Sequence, residues 1–440
     1  MSIDSGNTRG RYVTALTWNL LGAVAAQGST LVGNVLVARA LGVTEFGAFS
    51  VVQITLVTAS MVSQFGTGLT VTRFVAECLE RDPQRAMRIA GMVHVVSLVS
   101  GLIFAAALWV GADWLAAAAL GNPQLAMELR IGSLYVVAAA LSGTQLGTLA
   151  GLGEFGAIAR SSVIAGAAYC AIVGASTWLA GLEGAIAGMV LAMLCRVAIQ
   201  GGFLANHLHA RSLHLQFDGF LSEQGVLLKY ALPAALSGMS TMPAIWFANA
   251  SLARSPDGLR EMGLLAAALS YRNLVLFLPS VVDSVGAVRL AQRLGAVDYR
   301  GFRNAFFTNF AITAALAMGV SAALWLAAGP LLAVFGSEFT GANELLGLLL
   351  LSAVLQVAAS ASYQLVNMAG LMWLSLFFIA LPRDIGFAVL ATWLIPAQGL
   401  QGVGWAYVAA AAFGLVVTLM LAVNVLRRRY PIDGRAHDVT

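Results

Sequence analysis

The chain alternates, end to end, between apolar runs of about twenty or more residues and short polar breaks, and a run of that length is what a helix needs to cross a bilayer. Twelve such runs can be drawn, at 12–38, 47–74, 87–112, 126–150, 156–180, 184–208, 225–252, 262–289, 302–328, 342–368, 371–395 and 400–426. Inside hydrocarbon every backbone N–H and C=O must find its partner within the protein. The runs therefore predict membrane-spanning helices and an all-α integral membrane protein. Composition agrees: 59% of residues are hydrophobic and 10% are charged, against about a quarter charged in soluble domains.

The break at Met368-Ala369-Gly370 carries no charge, and it is placed there because the combined run is too long for one span. The first run is too long for the apolar core of a cleaved signal peptide, so it is expected to be retained as a helix. Arginine supplies nearly all the positive charge, Lys229 being the single lysine. Arg9 and Arg11, then Arg81, Arg85 and Arg88, Arg160, Arg211, Arg293, Arg300 and Arg303, and Arg427 to Arg429 fall at alternate breaks. The positive-inside rule then puts both termini in the cytoplasm. A net charge of +4 placed in membrane loops does not call for nucleic acid.

Cys78, Cys170 and Cys195 are scattered, which fits neither a disulfide framework nor a metal site. His207, His209 and His214 share one polar stretch that reads as a solvated loop. Gly151-Leu152-Gly153-Glu154-Phe155-Gly156 matches the spacing of a dinucleotide-binding turn, but no strand precedes it, so a tight turn between two helices is expected. No Walker sequence and no catalytic constellation stands out. A transporter without cofactor or metal is expected, and not an enzyme. Gly143, Gly147 and Gly151 make a GxxxG series that predicts close helix packing.

The chain also repeats. Gly42 to Gly47 recurs as Gly258 to Gly263, both reading GxxExG, at a displacement of 216; Arg73 falls on Arg289 and Asp82 on Asp298. Gln145-Leu146 with Ala150-Gly151-Leu152 recurs as Gln364-Leu365 with Ala369-Gly370-Leu371, and Gly181-Leu182 with Gly184 as Gly399-Leu400 with Gly402. This predicts two six-helix lobes in parallel repeat, at 1–208 and 225–427, joined by a cytoplasmic linker at 209–224 and followed by a tail at 428–440. A transport path would run between such halves.

Charges inside the runs mark the candidate site, because a charge at the bilayer centre costs roughly 3 kcal/mol or more. Arg272 and Asp283 lie in the eighth run about three turns apart, with Pro279 between them expected to kink the helix. Pro382-Arg383-Asp384 lies within the eleventh run, and neighbours on a helix do not face one another, so Arg383 and Asp384 are each expected to need another partner. The bland alternative is an Arg–Asp pair locking two helices, such as Arg272 with Asp384. Arg73, near the end of the second run, either joins the cavity or snorkels to the interface. Arginine forks suit phosphate oxygens, so the expected substrate is an anionic, phosphate-bearing molecule bound by Arg272, Arg383 and Arg73. Tyr271 and Asn273, with Trp246 and Asn249, are candidate sugar contacts; Asp283 and Asp384 are candidate ion-coupling groups or charge partners. Since Arg272 falls on Leu56 in the repeat, the deep charge is expected in the second half alone.

Arg39-Ala40-Leu41-Gly42 with Glu45-Phe46-Gly47, Phe65-Gly66, Arg73-Phe74-Val75-Ala76-Glu77, Lys229-Tyr230-Ala231-Leu232-Pro233, Leu278-Pro279 and Leu394-Ile395-Pro396 together resemble the Wzx-type polysaccharide flippases of the MATE-like MOP superfamily. The resemblance covers nearly the whole chain. It implies twelve helices in two lobes around a cavity, in the bacterial inner membrane. It also implies alternating access that moves an undecaprenyl-diphosphate-linked oligosaccharide outward for O-antigen, capsule or exopolysaccharide synthesis, beside a polysaccharide polymerase and chain-length proteins. The seventh run departs from many relatives in carrying Trp246 and Asn249 and no acid, and the break between the tenth and eleventh runs lacks basic residues.

A cation-coupled multidrug exporter of the same superfamily would want carboxylates in the first or seventh run, and neither has one. A lipid II flippase would carry extra C-terminal helices. A membrane transferase on the same carrier would need a larger external loop than 113–125, and a mere scaffold would not need buried charge.

Overall fold

The computed structural model describes residues 5–64, 66–217, 240–295, 299–369 and 371–429. Side chains are not described at 5–21, 23, 281, 284, 285, 287–289, 291, 292, 294, 295, 299, 300, 372 and 427–429. The start of the seventh predicted span, the later part of the 209–224 linker, Asp298, the side chain of Arg289 and most of the tail lie outside the described residues.

The described chain is helical, with no strand. In order it forms α1 (Ser5–Gln64), α2 (Thr67–Cys78), α3 (Pro83–Trp114), α4 (Ala126–Gly151), α5 (Phe155–Ala210), α6 (Thr241–Ala253), α7 (Gly258–Gly295), α8 (Tyr299–Leu326), α9 (Ala328–Phe335), α10 (Asn343–Met368), α11 (Met372–Ser375), α12 (Leu381–Gln398) and α13 (Leu400–Arg429). Several predicted breaks fall where helices turn. α1 is two helices joined at Gly42, whose φ of 76° a side chain would resist. α5 is likewise two helices joined at Ala180 and Gly181. The uncharged break near 370 is real, since α10 stops at Met368 and α11 begins at Met372.

The chain divides into two compact units, Met1–Trp246 and Phe247–Thr440. In the first, α4 packs against α1, α2, α3 and α5. In the second, α10 is the central helix in the same way, against α7, α8 and α13. Glycine explains the close approach in the first unit. A Cβ on Gly147 would stand 2.4 Å from the Gly68 carbonyl oxygen, and one on Gly151 would stand 2.8 Å from Val75 Cβ. Thr72 Oγ1 donates to the Gly147 carbonyl at 2.9 Å across the same seam. The GxxxG series is thus a packing surface.

Large apolar side chains cover the outside. Trp114 at the end of α3 and Trp178 just before the Gly181 break are 68% and 79% exposed in the first unit, as are Trp325 (61%) and Trp393 (73%) near the ends of α8 and α12 in the second. Exposed indole rings near helix ends are the kind of side chain that settles at a membrane interface.

Candidate functional site

Each unit places polar side chains in its interior. In the second, Arg272 on α7 is only 7% exposed. Its Nε donates to Ser352 Oγ at 3.0 Å and its Nη2 to Gln356 Oε1 at 2.5 Å, both on α10, while the guanidinium carbon lies 4.8 Å from the Tyr407 ring centroid on α13. One arginine therefore ties three helices together. Its partners are a hydroxyl, an amide and an aromatic face. Among the described residues no carboxylate neutralises it, and the suggested pair with Asp384 does not form.

Asp384 is instead taken by its neighbour. Arg383 Nε and Nη2 both reach Asp384 Oδ1 at 2.8 Å, which corrects the expectation that adjacent residues on a helix cannot pair. The physical reason lies in the start of α12. Pro382 lacks an N–H and its ring would strike the carbonyl four residues back, so the turn before it, Leu376–Ala380, widens into a π-helix. The Arg383 arm then lies across Gly414 of α13, its Cδ 3.4 Å from where a Cβ would sit, and curls back onto a carboxylate 5% exposed.

Asp283 is set differently. It accepts from Asn309 Nδ2 of α8 at 3.0 Å, and its main-chain carbonyl accepts from Gln364 Nε2 of α10 at 3.1 Å. A Cβ on Gly286, one turn on, would stand 2.1 Å from Asn309 Oδ1, so glycine lets α8 come this close. α7 runs continuously through Pro279. Tyr271 is buried, donates to the Leu331 carbonyl at 2.6 Å and meets Phe335 edge-on at 5.7 Å. Asn273 is exposed on the same helix, and Asn249 is buried.

The first unit holds Arg73 at its surface, its Nε 3.9 Å from Glu77 and its side chain 53% exposed. It also holds a deep cation that the sequence reading passed over. Arg196 lies midway between the Gly181 break and the end of α5, half-buried, within electrostatic reach of the Tyr135 and Tyr169 hydroxyls. Gln53 bonds to Tyr169, and the Tyr169 ring packs where a Cβ on Gly33 would be, 2.3 Å from its Cε1. Among the described residues no hydrogen bond or ion pair holds the Arg196 guanidinium. A cation at the middle of an apolar run is therefore present in the first unit as well, half-buried where Arg272 is buried. The signal was available, since Arg196 is the central residue of the run 184–208. Leu56, the repeat counterpart of Arg272, is fully buried, and a Cβ on Gly132 would stand 2.5 Å from its Cδ1.

Other polar groups of the first unit serve packing. Ser97 Oγ meets Thr144 Oγ1 at 2.5 Å and Thr67 Oγ1 at 3.0 Å, and Trp246 Nε1 donates to Thr55 Oγ1 at 2.9 Å. The GxGxxG segment is a turn, with Gly153 at φ 76°. Its Glu154 is bridged by Arg211 at 2.6 Å, and His207 Nδ1 lies 3.2 Å from the same carboxylate.

Helices long and apolar enough to cross a membrane, together with polar groups gathered inside each unit, define a multi-pass membrane transporter, and the fold is shared with solved transporters. An inward-facing multidrug resistance MATE family transporter of the MOP superfamily matches with a TM-score of 0.73 at 17% identity, covering 92% of this chain and 96% of that one. The eukaryotic MATE transporter AtDTX14 matches at 0.71 and 13%, covering 95% and 99%. A MOP superfamily transporter from Pyrococcus furiosus, described as having a binding pocket of reverse polarity that suggests a different function, matches at 0.65 and 16%, covering 94% and 95%. By sequence, residues 13–286, more than half of the chain, match the polysaccharide biosynthesis protein family, and the chain belongs to it. The EPS I polysaccharide export inner membrane protein EpsE of Ralstonia nicotianae is 26% identical over 407 residues, 91% of each chain. The protein of that name from Ralstonia solanacearum is 24% identical over 368 residues, 82% of each.

Proposed function

We propose that this protein is a flippase of the bacterial inner membrane that carries an undecaprenyl-diphosphate-linked oligosaccharide from the cytoplasmic to the periplasmic leaflet by alternating access. The observation that carries the reading is the buried guanidinium of Arg272 in the second unit, matched by no carboxylate among the described residues; Arg196, half-buried in the first unit, is likewise without one. A charge held in an apolar interior without a counter-ion is costly, and a substrate that brings the missing negative charge offsets that cost. The diphosphate is that charge, and arginine is the side chain that takes it in a fork. Arg383, 30% exposed at its side chain with its charge shared by Asp384, and Arg73, exposed beside Glu77, are further candidates for the phosphate. Tyr271 positions Arg272 by anchoring α7 to α9, and exposed Asn273 contacts sugar. Asp283, bonded to neutral amides, is the ion-coupling carboxylate, while Asp384 is a charge partner. The names of the Ralstonia relatives support export of a polysaccharide. The arginine pattern supports orientation with both termini in the cytoplasm, and the sequence repeat supports two lobes divided at the 209–224 linker. A multidrug exporter is the second reading, favoured by the MATE-like fold alone.

Complementation of a strain lacking the gene tests this. Wild-type protein should restore surface polysaccharide, and Arg272→Ala, Arg383→Ala and Arg196→Ala should not, while lipid-linked oligosaccharide accumulates in the inner leaflet. Drug sensitivity of the deletion strain with normal polysaccharide would decide for the exporter.

A further inference from the structure

The second unit carries an open groove of about 730 Å³ on one of its faces, between α8, α10 and the start of α13. Its polar groups are not scattered. Glu344 stands at the start of α10, Gln401 at the start of α13 and Trp325 at the end of α8, so all three sit at one level where helices end. Gln401 Nε2 donates to Glu344 Oε2 and fixes the carboxylate. Trp325 and Trp405, 61% and 48% exposed, line the same rim. The Trp325 indole packs over Gly347, its Nε1 3.4 Å from where a Cβ would sit. One turn deeper along α8, Ser321 is 8% exposed and its Oγ has no partner among the described residues, whereas a serine or threonine on a membrane helix usually returns to a carbonyl of its own helix, as Thr313 does. Below that level the walls are apolar, Met318 and Leu351 down to Val354, ten residues or about 15 Å past Glu344.

We propose that this groove is a binding site for a diacyl phospholipid with a primary ammonium headgroup, of the phosphatidylethanolamine type. A carboxylate flanked by two indole rings is a site for an ammonium, held by charge and by the ring faces. Ser321 Oγ donates to an ester carbonyl one turn below, and an acyl chain lies along the apolar wall. The depth order of the groove, carboxylate, hydroxyl, hydrocarbon, is the order of the lipid. An anionic lipid, or the phosphate end of a polyprenyl carrier, would bring its negative charge against Glu344. The site does not depend on the transport reading.

The test is native mass spectrometry of the whole protein, loaded in equimolar phosphatidylethanolamine and phosphatidylglycerol of matched chains. Wild type should retain the ethanolamine lipid preferentially. Glu344→Gln, which keeps the shape and the contact with Gln401, should lower that preference about tenfold. Ser321→Ala should weaken retention of both lipids alike. Size-exclusion profiles and melting curves establish that each variant is folded. Equal retention of the two lipids by wild type, or a preference unchanged in Glu344→Gln, would overturn the proposal. Displacement of the ethanolamine lipid by undecaprenyl phosphate at equal concentration would overturn it in favour of the isoprenoid carrier.

Discussion

Gly181 and Gly399, 218 residues apart, hold the same backbone conformation, φ 57° and ψ −135° against φ 53° and ψ −132°. Three residues later the likeness continues. A Cβ on Gly184 would stand 2.0 Å from the Ser176 carbonyl oxygen, and one on Gly402 2.8 Å from that of Leu394, the same displacement along the chain. The two hairpins are thus copies in geometry, as the sequence repeat predicted. Gln145 and Gln364, matched at a displacement of 219, each leave a buried Oε1 without a partner among the described residues.

Alanine at Gly181 meets no neighbour within 4 Å, so its cost is the backbone alone, roughly 1–3 kcal/mol for a side chain at this conformation. At Gly399 a Cβ would also stand 2.8 Å from Glu261 Oε1, so Gly399→Ala should cost more. Thermal unfolding in detergent should show both variants lowered, Gly399→Ala further. A melting curve unchanged for Gly181→Ala would remove the conformational argument.

Arg272→Ala should lose two charge-assisted hydrogen bonds, worth about 2 kcal/mol each, and with them the tie between α7 and α10. Arg272→Lys keeps the charge and loses the fork. Measured as surface polysaccharide per unit of membrane protein, Ala should fall to background, and Lys should recover protein level more than polysaccharide. A lysine variant that transports as wild type would refute the need for a planar fork.

Arg196 makes the opposite prediction for stability. No hydrogen bond or ion pair with a described residue is broken by Arg196→Ala. The variant should melt at or above the wild-type temperature while export fails. Intact export in a folded Arg196→Ala would show that this cation is a bystander.

Asp283→Asn keeps an acceptor for Asn309 Nδ2 and leaves the main-chain bond from Gln364 untouched. Stability should change by less than about 1 kcal/mol, the usual net worth of one hydrogen bond. Flipping in vesicles should lose its response to an imposed proton or sodium gradient. A gradient response equal to wild type would transfer coupling to another group.

Gly147→Leu should be the most damaging of the packing changes. Its Cβ meets the Gly68 backbone at 2.4 Å, which cannot swing aside as a side chain would, and overpacking costs about 1–3 kcal/mol or more. Gly156→Ala, which faces only the end of the Arg160 side chain at 3.5 Å, should be silent in the same melting assay.

Much of this protein follows from local pattern. Run length required helices that satisfy their own backbone, and glycines at 42, 181 and 399 marked turns, because conformation and hydropathy are properties of short segments. The glycines at 143, 147 and 151 announced close packing because only small residues allow it. The partners of the charged residues were another matter. Arg272 found Ser352, Gln356 and Tyr407, some 80 to 135 positions away, and none of those neutral side chains advertises itself as an arginine's partner. Arg383 reached its own neighbour with its arm packed over Gly414 of another helix, a fact of helix packing that spacing along one helix does not contain. Arg196 was visible as a charge in an apolar run, yet only the convergence of five helices around Gly33, Gln53, Tyr135 and Tyr169 distinguishes it from a surface residue. Sequence by itself determined the class of protein and its repeat; the tertiary structure decided which charges are matched by a carboxylate and which are not among the described residues, since pairing depends on distances between helices.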